Sequence, residues 1–170
     1  MPLNKQFGYL FRRDFGSLKL ALGMALLTPT NDADLLDQPR KDYAALLAGN
    51  LCVNGFVRLS EISVAAYMAG KLLIERGAAV GTQELGVTYR MTGKLAVQAL
   101  EEIGLHQGKT GRFVGTAEQY RNICDSLDML GAVIPVLTRG ELVTVLHEAA
   151  MVVEDGLAEA RLKNEAKLAA

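Results

Sequence analysis

The chain of 170 residues has no tryptophan, two cysteines, two histidines and four prolines, and only 6% of it is aromatic. Cys52 and Cys124 both sit in apolar helical patterns and form no Cys-x-x-Cys pair. A disulfide framework or a structural zinc site therefore has little to be built from, and two buried, reduced thiols are expected. His147-Glu148 lacks a second histidine four residues on, so it is no zinc-protease signature. Strong charge of either sign is also missing: the formal net charge is -1 and the pI about 6.1. That argues against a surface basic all over, though it leaves room for a local basic patch.

Long apolar runs are absent too. Lys5, Arg12 and Arg13 ahead of the apolar residues 18–27 have the outline of a secretory signal, but the run falls short of the roughly 18 residues that a membrane span needs. Phe7, Leu10, Phe11, Phe15, Leu18, Leu22 and Ala25 share one helical face, so residues 7–27 read as an amphipathic core helix of a cytoplasmic protein with no membrane partner. Clustered catalytic groups are likewise missing. Asp32, Asp34 and Asp37 are spread along a segment of loop composition, where they suit turns and caps better than acid/base work. The stretch 104–110, GLHQGKT, is one residue short of a phosphate loop and follows a helix instead of a strand. No enzyme activity, cofactor or metal is expected.

What is present is the composition of one globular domain over residues 1–170: half the chain is hydrophobic and 22% is charged. Helical periodicity predicts elements over 40–53, ending at Asn54-Gly55, over 61–76, over 117–131, and from 139 into the 160s, with a loop over 28–38. Capping-box pairs Thr116/Gln119 and Thr138/Glu141 open the last two. Seventeen glycines, many inside helical patterns, point to close helix packing.

Residues 77–115 carry the most suggestive local pattern. Thr82 caps a short helix, Gly86-Val87-Thr88 reads as a turn, and 91–103 is a second helix with Met91, Leu95, Leu100 and Ile103 apolar. Gly104 stops it, and 105–107 and 112–114 flank the glycine-rich turn 108–111 as a small β-hairpin. The run 96–105, AVQALEEIGL, resembles the passage from recognition helix to wing in the winged helix-turn-helix superfamily of DNA-binding proteins. That resemblance covers about residues 61–115, with 61–76 as scaffold helix.

The expected fold is therefore all-α, about six helices with one small β-hairpin and a winged helix-turn-helix-like core. The resemblance implies a transcription regulator or accessory DNA-transaction factor binding double-stranded DNA. Tyr89, Arg90, Thr92, Lys94 and Gln98 would face the groove and Lys109, Thr110 and Arg112 would form the wing. Across 76–115 five cations stand against three anions, a local excess of two. The other reading takes 82–103 as one glycine-weakened helix in a plain bundle, an all-helical protein–protein interaction or assembly module without nucleic acid. The long C-terminal helix, 139–168, is expected to pack its apolar stripe on its own domain and to join a homodimer through its projecting end, past Ala158.

Overall fold

A computed structural model describes residues 29–80 and 83–168 of the chain. The segment expected to form the first amphipathic helix, 7–27, lies outside the described residues. Five helices follow in order: α1 Pro29–Leu47, α2 Val53–Val80, α3 Gln83–Thr110, α4 Ala117–Val133 and α5 Arg139–Leu168, with a 3-10 turn at Ile134–Val136 before α5. Among the described residues there is no strand.

Local side-chain chemistry sets the start of two helices where the sequence puts them. Ahead of α4 the Gln119 amide donates to Thr116 Oγ1 at 3.2 Å and the Thr116 amide donates to Gln119 Oε1 at 2.7 Å. Ahead of α5 the Glu141 amide donates to Thr138 Oγ1 at 3.3 Å and the Thr138 amide to Glu141 Oε2 at 2.7 Å. Each box satisfies two amide donors that the first turn leaves without partners. That donation also holds the Glu141 carboxyl below its ordinary pKa, and Arg76 Nη1, 3.3 Å away, acts in the same direction. Thr116→Ala should cost about 1 kcal/mol in a denaturant melt, with Gln119→Ala costing less.

Elsewhere the chain departs from expectation. The predicted loop 28–38 is the first half of α1, which opens at Pro29, where a missing amide hydrogen matters least, and continues through Pro39. Pro39 removes one backbone bond, yet buried Leu35, Leu36 and Leu46 hold the helix against its neighbours on both sides of that gap. The turn after α1 is made at Gly49 (φ +72°) and not at Asn54-Gly55, which lie inside the first turn of α2. Cys52 starts α2, its carbonyl accepting from the Phe56 amide and its Sγ from the Gly55 amide. It is exposed, contrary to the expected burial, and Cys124 is partly buried; both are free thiols.

The main correction concerns the expected winged core. Residues 83–110 are one uninterrupted helix running through Gly104 and Gly108, so the short first helix, the turn at 86–88 and the hairpin over 105–114 are not seen. The real stop is Gly111. Its φ of +77° lets its amide reach back to the Gln107 carbonyl at 2.7 Å, the left-handed glycine ending of a helix.

α3 runs antiparallel to α2, the helix on which the other helices pack and whose residues 61–66 are buried on every side. Asp42 of α1 accepts from Arg58 Nε at 2.6 Å and Nη2 at 2.9 Å. Arg40 meets Asp128, and Tyr43 Oη donates to the Tyr120 carbonyl, which sets α1 antiparallel to α4. Ser63 Oγ lies 3.3 Å from Ser126 Oγ in the core between α2 and α4; Ser126 itself donates to the Ile123 carbonyl. Arg76 ties the end of α2 to the Val136 carbonyl in the 3-10 turn and to Glu141 in the first turn of α5. Leu46, Leu59, Leu73, Leu100, Ile103, Ile123, Leu130 and Leu142 are wholly enclosed, a continuous apolar core shared by all five helices.

Candidate functional site

Glycine decides which way α3 faces. Its buried residues Gly86, Tyr89, Gly93, Ala96, Leu100 and Ile103 recur every three or four positions, one inner stripe lying on α2. A Cβ at Gly93 would stand 2.3 Å from the Tyr67 backbone nitrogen, and one at Gly70 of α2 would stand 2.2 Å from that of Arg90. A Cβ at Gly86 would stand 2.7 Å from the Ile74 amide nitrogen and 2.9 Å from the Gly70 carbonyl oxygen, while Gly104 faces the Phe56 ring. Each step along α2 is matched by an equal step back along α3. The two backbones therefore touch, which no side chain larger than hydrogen permits at those points.

The opposite face of α3 is open. Val87, Met91, Leu95 and Leu105 are 53%, 54%, 40% and 70% exposed. With Glu84, Gln98, Glu102 and Lys109, all exposed, they form one outer stripe at spacings of three and four residues. Its length is roughly 37 Å at about 1.5 Å rise per residue. Monomeric proteins scatter single exposed apolar side chains, whereas contiguous ones mark surfaces that bind. Met91 and Leu95 share helical spacing with Leu100 and Ile103 in the sequence, yet they face outward, because on this helix the buried face is made largely of glycine and alanine.

The residues expected to read DNA do not share one face. Tyr89 is buried against α2 and Thr92 is partly buried, while Arg90 is exposed with its guanidinium carbon 5.5 Å from the centre of the Tyr67 ring. Lys94 and Gln98 are exposed beside Glu101 and Glu102. Lys109 and Thr110 close the helix, Thr110 Oγ1 donating to the His106 carbonyl at 2.9 Å, and exposed Arg112 follows it. No wing gathers Lys109, Thr110 and Arg112 against Arg90 and Lys94.

One buried group went unnoticed in the sequence. Glu61 of α2 is 4% exposed, and its Oε1 has no hydrogen-bond partner. Burial pushes its carboxyl up to about 8, against the opposing pull of Arg58, so the group holds its proton at neutral pH. Its position among Ile62, Ala65, Ala66 and Ala69 gave it the look of a solvated charge on an amphipathic helix. Only the burial of α2 on every side reveals it otherwise.

Among the described residues no group of three or more His, Cys, Asp or Glu is placed to hold a metal ion, and no helix is long and apolar enough to cross a membrane. The α5 stripe is largely used within its own domain, as expected of its apolar face. Leu142, Val145, Leu146 and Ala149 are buried and Val153 packs on the core, leaving Met151 and Val152 exposed. Compared with protein-family models, curated proteins and solved structures, the chain matches none.

Proposed function

We propose that this chain is an all-helical interaction module that assembles with another protein helix along the outer stripe of α3, without nucleic acid. One observation carries the reading: Val87, Met91, Leu95 and Leu105 stand exposed in line on a helix whose inner face is seated backbone to backbone on α2. A helix held in this way keeps its outer stripe in one orientation, so a partner that covers it gains apolar burial without first ordering the surface. The chemistry offered is that of helix-on-helix recognition, with anchors at steps of three and four residues. DNA binding finds less support in the geometry, because Arg90 lies over the Tyr67 ring, Lys109 is fifteen residues along the helix from Lys94, and Glu84, Glu101 and Glu102 are exposed on the same helix.

A photoreactive amino acid placed in the full chain at Met91 or Leu105, and for comparison at exposed Arg121 of α4, tests this in cells. Protein adducts are expected at 91 and 105 in clear excess over 121. Adducts to nucleic acid in place of protein, or equal yields at all three positions, would overturn the reading.

A further inference from the structure

Resting on that reading of the α3 face, we propose that its occupant is a second copy of this chain, laid antiparallel along α3 about a two-fold axis. The stripe carries opposite charges at its ends and is mainly apolar between them, with Gln98 and Glu102 as its polar members: Glu84 at the first turn, then Val87, Met91, Leu95, Gln98, Glu102 and Leu105, and Lys109 at the last turn. All are exposed. Laid parallel, two copies would put Glu84 on Glu84 and Lys109 on Lys109. Laid antiparallel, each Glu84 meets the Lys109 of the other copy, twice by symmetry, and the helix dipoles oppose. In that register Val87 of one copy faces Leu105 of the other, and Leu95 faces Gln98 across the axis.

Glu102, the one acid in the middle, is already engaged sideways, its carboxylate accepting from Gln119 Nε2 of α4. It therefore presents its methylene groups toward the facing Met91. The spacings of three and four average close to the repeat of a straight helix, so a straight partner stays on the stripe along its whole length. No other exposed face among the described residues combines aligned apolar anchors with opposite charges at its two ends. Among the α5 residues whose side chains are described, the exposed large apolar ones are Met151 and Val152, adjacent in sequence and so on different sides of the helix.

Sedimentation equilibrium on the full chain, with charge exchange at the stripe ends, tests the pairing. The wild type should be a reversible dimer. Glu84→Lys and Lys109→Glu should each weaken dimerisation by about tenfold, since one exchange sets two like-charge contacts across the axis. The double variant Glu84→Lys/Lys109→Glu should recover most of that loss. Damage to folding would not be repaired by a second change at the far end of the helix. A dimer indifferent to the single exchanges, or single losses that the double variant does not repair, would overturn the two-fold α3 pairing. So would a wild-type monomer, and if adducts at 91 and 105 to some other protein persisted, that result would remove the second copy and leave the interaction reading intact.

Discussion

Gly70→Ala and Gly93→Ala should each lower stability by about 3 kcal/mol, although the same exchange in an isolated helix would raise helix stability by about 1 kcal/mol. The added methyl would meet the Arg90 or Tyr67 backbone at 2.2–2.3 Å, and backbone atoms in the middle of two packed helices cannot swing aside as a side chain does. The helices must separate along their length, opening the apolar layer of Ala65, Ala66, Ala69, Ala96 and Ala99 between them. Gly108→Ala supplies the contrast. Nothing lies within 4 Å of its added Cβ and its φ is not in the left-handed region, so stability should rise by up to about 1 kcal/mol. Denaturant midpoints for the three variants check the sign directly. Equal shifts at 93 and 108 would mean that α2 and α3 are not in backbone contact.

Glu61→Gln should remove a pH dependence that the wild type shows between about 5 and 8. The folded protein keeps the Glu61 proton up to about pH 8, whereas the unfolded chain releases it near its ordinary value of 4.5. Between those values the native state binds the extra proton, so stability falls as pH rises, by up to about 5 kcal/mol across the window, and is flat with respect to this group on either side. The glutamine variant should match the wild type near pH 4 and exceed it at pH 8 to 9. Thermal melts from pH 4 to 9 read this out, and parallel curves would mean that Glu61 is solvated. The acid sits on the helix that every other element packs against, which makes the effect large for a single side chain.

The parts of the fold legible in the sequence were those decided within a few residues. Thr116 and Thr138 start their helices because the capping partner lies three positions on, and Leu127, Leu130, Leu142 and Val145 face inward because no other stripe competes on α4 and α5. The parts misread turn on what glycine and proline do in context. Gly86, Gly93 and Gly104 looked like punctuation, yet two of them let backbones touch and the third faces the Phe56 ring. Gly111, with nothing near it, is the one that ends the helix. Pro29 and Pro39 looked like loop residues because sequence alone does not show that Leu35, Leu36 and Leu46 are all anchored. The apparent wing came from the same error, since a helix thought to stop at Gly104 leaves GKTG free to be read as a turn. The outer stripe does not stand apart in the sequence, where Met91 and Leu95 group with Leu100 and Ile103 as apolar residues of one helix. Counting glycine and alanine as inward residues would have produced Gly86, Tyr89, Gly93, Ala96, Leu100 and Ile103 as the buried set and left Val87, Met91, Leu95 and Leu105 outside.

The central claim is that 83–110 is one straight helix whose inner face is fixed on α2 and whose outer face is open along its length. A distance between spin labels at Leu85 and Leu105, both exposed, tests it most directly, in a chain carrying Cys52→Ser, which keeps a helix-capping side chain, and Cys124→Ala. With the labelled chain diluted into unlabelled chain, a single narrow distribution centred near 30 Å is predicted, twenty residues at about 1.5 Å each. A markedly shorter or two-peaked distribution, as a chain folding back at Gly86 or Gly104 would give, would contradict it.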